Sequence, residues 1–499
     1  MKEFLEAFVL KWSYLQILII LVTVGYLIFS NRTKIVHEIK NNKKIFYLLV
    51  IIILVGSILR FSNLNEFVHV YNNDSFEYIM ESLGILVHNR FIMVCDPPSY
   101  AVLISIIQSL FGMTYYSQSF LSSLFGTLSI LLLFIFTQIL IKNYNVSLIS
   151  ALLLTFSPLH LGASSSGYPT STSIFFSLLF LILFINAVKY NKFIWYFAAA
   201  VTLSFTGLLL YVETVLALFA GIYILVMKNF KFLFNIKLIA CFFIALIFMT
   251  PFIILQNISE TKCASIMDYE AEDNFLCKFA KSYCKLFNPY YILHNNHKQQ
   301  SFVNDVNGHL PSYLSFLFLG YGRHYENLNL NYWHKKYIFS SFDFVFLVQL
   351  LLIIFSMIYL LRSKIRKPII FLLLMMLAYI LIFSMYMETS HYLILPIIVY
   401  GIIPLVSTSL FYFCKNKIGP RRRKFVMILL IILVISPFFY GKVYQHIDDK
   451  TYLSRGDLNF IPWSEICPKS YDEYKGLCYF LLNHYINKYN IKEYHAIEE

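Results

Sequence analysis

The sequence predicts an all-α, polytopic membrane protein of about twelve transmembrane helices. Three observations carry that expectation. Of 499 residues, 59% are hydrophobic and only 13% charged, whereas soluble domains carry roughly a quarter charged residues. Apolar runs of membrane-crossing length recur from one end of the chain to the other, separated by short polar segments. The basic residues fall in brief clusters between those runs, which is how cytoplasmic loops read under the positive-inside rule. The net charge of +13 therefore indicates a membrane topology and no nucleic-acid partner. No internal repeat and no cleavable signal peptide is evident.

Residues 14–29 form the first expected span, followed by a basic loop, 31–44, placed in the cytoplasm. Residues 45–59 return and place the acidic outer loop, residues 62–98, on the far side. Residues 100–111 are short for a crossing, which takes about 20 residues, and are expected to cross with help from their flanks. Spans over 120–141, 147–161 and 170–188 follow. The block 193–227 is too long for one straight span; the lysines at 228, 231 and 237 require an odd number of crossings, read as one span plus a half-embedded segment broken near Gly207. Residues 237–255 lead to a large polar loop, 256–337. Spans at 338–361, 368–387, 392–413 and 425–440 complete a transmembrane domain over 1–440, and 441–499 form a short extracytoplasmic tail.

Cys95, Cys263, Cys277, Cys284, Cys467 and Cys478 all fall in segments assigned outside. An oxidising face permits disulfides there, with free thiols the alternative, and connectivity stays open. There is no phosphate-binding glycine loop, dinucleotide fingerprint, zinc-ligand spacing or nucleophile elbow. That absence, together with the lack of any sizeable cytosolic segment, argues against a reaction driven by cytosolic nucleotides.

The chemistry-bearing stretch is VYNNDSFEYIMESLGILVHNRFIMVCDPPSY, residues 70–100. Asp74, Glu77, Tyr78 and Glu81 fall at helical spacings. Asp74 reads either as an N-cap, with Glu77 completing a capping box, or as a general base at the membrane surface. Asp96, before Pro97 and Pro98, reads either as a charge favoured at a helix start or as an oxygen ligand of a divalent cation. Glu213 lies in an apolar block, where an ionisable residue is a functional hypothesis by default. The polar turn at His391 and the cation- and aromatic-rich segment around Arg323 suit either a phosphorylated headgroup or an interfacial belt.

These pieces, in this order, resemble the GT-C superfamily of integral-membrane glycosyltransferases, most closely the branch of protein O-mannosyltransferases and aminoarabinose transferases. The likeness rests on Asp74-Ser-Phe-Glu-Tyr78, Pro97-Pro98-Ser-Tyr100, Leu110-Phe111-Gly112, the segment 149–171 with its Tyr168-Pro169 exit, and His391-Tyr-Leu-Ile-Leu-Pro396. The resemblance implies an active site on the extracytoplasmic side of a multi-pass cell-membrane protein. There Asp74 would be the catalytic base, activating an acceptor hydroxyl for inverting attack on a polyprenyl-phosphate-linked sugar. It assigns substrate binding to Glu77, Tyr78, Arg90, Tyr100, Tyr168, Arg323, His391 and Tyr392, and a divalent metal ligand to Asp96. The implied partners are the lipid-linked donor, a glycan, lipid or protein acceptor, and membrane lipid. The sequence departs from the pattern at Ser75, at Ser119 and at His391, which stand where relatives carry an acid and two arginines. His88, Arg90, Arg323, His324 and His391 are the available substitutes for the missing cations. Two other classes stay open: a transporter or flippase of lipid-linked saccharides, and a non-catalytic assembly subunit. The interfacial position of the acidic cluster and the absence of repeats favour the enzyme over a transporter.

Overall fold

The computed structural model describes residues 2–62, 73–91, 98–111, 116–165, 167, 169–258, 365–384 and 396–417, all within one compact unit, Met1–Ser436. The described residues are helical throughout, with no strand among them. The order is α1 (Lys2–Ser30), α2 (Arg32–Asn41), α3 (Lys43–Phe61), α4 (Asn73–His88), α5 (Ser99–Phe111) and α6 (Tyr116–Ile141). Then come α7 (Tyr144–Thr155), α8 (Pro158–Ser165), α9 (Thr170–Tyr190), α10 (Phe193–Gly207), α11 (Leu216–Met227) and α12 (Ile236–Ile258). Short 3-10 turns at Tyr211–Val215 and Phe230–Phe234 flank α11. Last are α13 (Arg366–Ser384), a π-helical turn (Ile397–Ile402) and α14 (Ile403–Lys417). Among the described residues, α1, α3, α6, α9 and α12 are long and apolar enough to cross a bilayer.

Local chemistry sets the breaks. Asn143 caps α7, its side chain accepting from the backbone N–H groups of Asn145 (3.0 Å) and Val146 (3.4 Å). Pro158 has no N–H to return to the carbonyl of Leu154, so the expected single span 147–161 divides into α7 and α8, with the proline opening the second helix. The block 193–227 does break at Gly207. Pro251 sits inside α12, and the backbone there is steadied from α1: Trp12 Nε1 (3.1 Å) and Gln16 Nε2 (2.7 Å) both donate to the Phe248 carbonyl.

Two topological expectations are corrected. Residues 100–111 do not cross. Tyr100 bonds Ser122 of α6, while at the other end of α5 Phe111 lies 5.5 Å from Phe120, also on α6. Both ends of α5 thus meet the same end of α6, so the helix lies across the bundle. The parity of everything after it shifts. Tyr144, just past α6, donates to Glu38 of α2, and Tyr190, at the end of α9, accepts from Lys34 of α2. Those turns therefore sit at the α2 end, where 31–44 was expected, and not opposite it. Consequently 193–227 makes an even number of passes. Phe205 of α10 packs on Phe176 near the start of α9, and Tyr223 of α11 packs on Phe184 near its end. The chain goes up in α10, turns at 208–215, and comes back in α11. Asn191 and Lys237 then meet at the α2 end, the Lys237 Nζ donating to the Asn191 carbonyl at 2.7 Å. The physical gain is plain: Lys142, Lys189 and Lys192 join Lys34, Lys40, Lys43 and Lys44 on one side, as the positive-inside rule favours. The expected basic loop also contains a helix, α2.

Candidate functional site

The opposite end of the bundle is roofed by α4 lying on α5. Asp74 and Glu77 fall in the first two turns of α4. The helix opens at Asn73, so Asp74 lies inside the first turn and not at the cap. One turn on, the helix is anchored: Tyr78 and Glu81 are buried, Ser82 Oγ donates to Gln108 Oε1 of α5 at 3.1 Å, and the Tyr78 ring meets Tyr100 edge-on at 5.2 Å. Asn89 adopts a left-handed conformation (φ 54°) just past the helix, a geometry asparagine tolerates. The chain then turns so that Arg90 pairs with Glu6 of α1 at 3.6 Å. The roof is thus tied at its carboxyl end to the first helix and along its length to α5.

Beneath lies a floor of uncharged hydroxyls. Tyr100 is its hub: fully buried, its OH donates to the Gly167 carbonyl at 2.7 Å and shares a hydrogen bond with Ser122 Oγ at 2.8 Å. Ser171 Oγ of α9 donates to the Ser122 carbonyl at 2.9 Å, closing α5, α6 and α9 around one point. Gly167 has φ +71°, and a Cβ there would meet Gln118 and Ser119 at 3.2–3.4 Å. Glycine is required both by backbone and by contact. The α5 entry is held as well, Ser99 N–H donating to the Leu208 carbonyl at 3.1 Å.

Next to this floor a cation is buried with no carboxylate facing it among the described residues. Arg60, in the last turn of α3, is fully buried. Its Nη1 donates to the Gly56 carbonyl (2.9 Å), and its Nη2 reaches the Leu154 carbonyl (3.3 Å) and His160 Nδ1 (2.7 Å). Pro158 cannot donate to the Leu154 carbonyl; that oxygen accepts from the Ser157 N–H at 3.3 Å, and Arg60 adds a second donor at the α7–α8 break. The carboxyl ends of α3 and α7 both approach the guanidinium, and helix carboxyl ends carry partial negative charge. That charge, together with the imidazole acceptor of His160, offsets the burial of the guanidinium. Ser123 Oγ donates to the carbonyls of Ser164 (3.0 Å) and Arg60 (3.3 Å), knitting α3, α6 and α8 together.

Glu213 occupies the turn between α10 and α11, fully enclosed. Its two oxygens accept from Ser173 Oγ of α9 and Tyr379 OH of α13, each at 3.0 Å. Among the described residues no cation faces it, so it acts as a polar clamp between the early helices and α13.

Of the residues expected at the site, Asp74, Glu77 and Tyr78 share α4, Tyr100 lies directly under Tyr78, and Arg90 is drawn to Glu6. Tyr100 is a buried structural donor in this arrangement. Asp96, Tyr168, Arg323, His324, His391 and Tyr392 lie outside the described residues, as do all six of the cysteines assigned outside. Cys241, assigned to the inner side, is buried and unpaired. Among the described residues no three histidine, cysteine or acidic side chains converge on a point that would hold a metal ion. Arg60 and His160 were not anticipated. The available signal was an ionisable side chain in or beside an apolar run, in both segments.

Residues 96–255 match the family described as dolichyl-phosphate-mannose-protein mannosyltransferase. No curated protein matches the sequence. In structure, the chain is similar to ArnT from Cupriavidus metallidurans bound to undecaprenyl phosphate, with 15% identity and a TM-score of 0.52, covering 76% of this chain and 63% of that one. It is also similar to the Archaeoglobus fulgidus oligosaccharyltransferase tethered to an acceptor peptide, with 13% identity and a TM-score of 0.50, covering 86% of this chain and 59% of that one. The chain thus spans about three fifths of the length of these structures. At such identities the likeness establishes a shared architecture, with function to be argued from the site.

Proposed function

From the GT-C membrane-glycosyltransferase fold that this chain carries, we propose that it moves a sugar from a polyprenyl-phosphate donor to an acceptor hydroxyl. The observation that carries the reading is the α4 roof. A helix bearing Asp74 and Glu77 in its opening turns is clamped on α5 at one end of a membrane bundle, at the border where a lipid headgroup and a water-borne acceptor meet. The α2 end gathers Arg32, Lys34, Lys142, Lys189, Lys228 and Lys237 against a single described carboxylate, Glu38. By the positive-inside rule that end is cytoplasmic, and the α4 roof then faces outward.

In the reaction, the Asp74 carboxylate takes the proton of the acceptor hydroxyl as its oxygen attacks the anomeric carbon from the face opposite the phosphate. The bond between the anomeric carbon and the phosphate oxygen breaks, and its electron pair leaves with the polyprenyl phosphate. Configuration inverts. The leaving group is already a stable anion, so it needs charge stabilisation more than a proton; Arg323 and His391 are the residues assigned to it. Arg90 is engaged by Glu6, and its part is to hold the roof. Asp96 remains the residue assigned to a divalent cation, and no step is routed through a metal. Glu77, Tyr78, Tyr168 and Tyr392 complete the assigned contacts, with Tyr78 acting from the α4–α5 interface.

The test is lipid mass spectrometry on the purified protein, wild type beside Asp74→Asn. Donor lipid retained by both, and converted to free polyprenyl phosphate by the wild type alone when an envelope extract is added, is the expected result. Equal turnover by the two proteins removes Asp74 from the chemistry. Vectorial movement of intact lipid-linked saccharide across vesicles, without cleavage, would establish the transporter class instead.

A further inference from the structure

The α2 end of the bundle carries a surface that the transfer reaction does not use. Helix α2 joins α1 to α3, and none of its residues is buried. It is set with its polar side towards the protein: Glu38 Oε2 accepts from Tyr144 OH at 2.5 Å, and Lys34 Nζ donates to Tyr190 OH at 3.4 Å. The other side presents Ile35, Val36 and Ile39, exposed by 40%, 48% and 40%, with Arg32 on the same side at the helix start and Lys40 beside it. A helix on a soluble protein turns its apolar stripe to the core. Here the stripe is turned away from the protein, the arrangement of an in-plane helix whose apolar side enters the boundary between headgroups and acyl chains.

The pattern recurs at the 3-10 turn Phe230–Phe234, which also has no buried residue. Phe230 and Phe234 are 63% and 70% exposed, with ring centroids 5.8 Å apart, and Lys228, Lys231 and Lys237 flank them. Between α2 and this turn lies Tyr190. Lys34 Nζ and Lys189 Nζ stand 5.9 and 5.0 Å from its ring centroid, and Lys237 Nζ donates to the next carbonyl, Asn191, at 2.7 Å. Three lysines from three segments thus converge on two consecutive residues, and among the described residues no carboxylate pairs with any of them.

We infer that this surface is a binding site for anionic phospholipid headgroups. Lys34, Lys189 and Lys237 hold the phosphodiester over Tyr190–Asn191, while α2 and the Phe230–Phe234 turn enter the bilayer surface on either side. A zwitterionic headgroup brings its own ammonium into the same three-lysine field, so the site selects net negative lipid. The inference is independent of the sugar-transfer reading, because it uses none of the residues at the α4 end.

The test purifies the full chain in detergent containing equal amounts of phosphatidylglycerol and phosphatidylcholine and quantifies the retained lipid by mass spectrometry. The wild type is expected to retain phosphatidylglycerol preferentially. Each cation near an anionic surface contributes roughly fivefold, so Lys34→Ala/Lys189→Ala/Lys237→Ala should lower the preference by about tenfold or more. A wild-type sample washed at high salt should lose the preference too, through screening of exposed charges; this arm decides the matter if the triple variant aggregates. Equal retention of both lipids by the wild type overturns the inference. So does a preference that survives in a monodisperse triple variant, or one indifferent to salt.

Discussion

Replacing Gly126 with alanine probes the packing that supports the α4 roof. A Cβ at position 126 of α6 would stand 2.2 Å from Ser164 Oγ, 2.7 Å from Ser164 Cβ and 3.3 Å from Arg60 Nε. The hydroxyl can rotate, but the Ser164 Cβ moves only with α8. Carbon atoms rest about 3.5–4.0 Å apart, so α6 and α8 would have to part by roughly 1 Å. One hydrogen bond crosses the same interface, Ser123 Oγ to the Ser164 carbonyl at 3.0 Å, and beside it Arg60 of α3 bonds His160 of α8 at 2.7 Å. Overpacking of this kind costs about 1–3 kcal/mol, and a stretched hydrogen bond adds about 1 kcal/mol. Removing a glycine from a helix interior returns about 1 kcal/mol. The net expectation is a loss of roughly 1–3 kcal/mol. Heating in detergent at one fixed rate, followed by size-exclusion of the surviving protein, reports it as a lowered temperature of half-survival. Gly126→Ala/Ser164→Gly removes the obstructing Cβ, and its two helix-propensity changes partly offset each other. It should recover most of the loss, giving a coupling of about 1–3 kcal/mol. If Gly126→Ala matches the wild type, or the double variant is no better than the single, the close approach of α6 and α8 is refuted.

Tyr100→Phe should lower thermal stability by about 1–3 kcal/mol, because the buried Gly167 carbonyl loses its donor; an unchanged melting profile would show that Gly167 finds another partner. At Glu213, a glutamine keeps an acceptor and a group that either hydroxyl can receive, so Glu213→Gln should be near neutral. Glu213→Leu removes the acceptor of the buried Ser173 and Tyr379 hydroxyls and should cost about 1–3 kcal/mol. A folded, stable Glu213→Gln variant with abolished sugar transfer would show that the carboxylate serves the reaction and not only the clamp.

Much of this architecture was legible in the sequence, and the misreadings have definite causes. The spans at 14–29, 45–59, 120–141, 170–188 and 237–255 correspond to α1, α3, α6, α9 and α12, because a long apolar run has no other stable place. The helix at Asp74 and the break at Gly207 were also readable from neighbouring residues. The crossing assigned to 100–111 was not. A 13-residue apolar helix reads alike whether it spans or lies across a bundle, and only its contacts at both ends with α6 distinguish the two. That one step inverted the turns at 142–143 and 191–192, and the extra pass of α10 and α11 restored the register before Lys237.

At the site, the carboxylates at 74 and 77 announced themselves by standing out from an apolar background. Arg60 did not, since a span ending at residue 59 leaves it at an interface where arginine is ordinary. Its acceptor His160 is 100 residues away in the chain, and the Leu154 carbonyl it also reaches lies at a helix break on a different segment. Composition and hydropathy, being local sums, determined that this chain is a helical, multi-pass membrane protein. Which helices cross, which lie flat and which buried charge answers which carbonyl were decided by tertiary packing. Those outcomes depend on distances between residues that the order of the sequence does not encode.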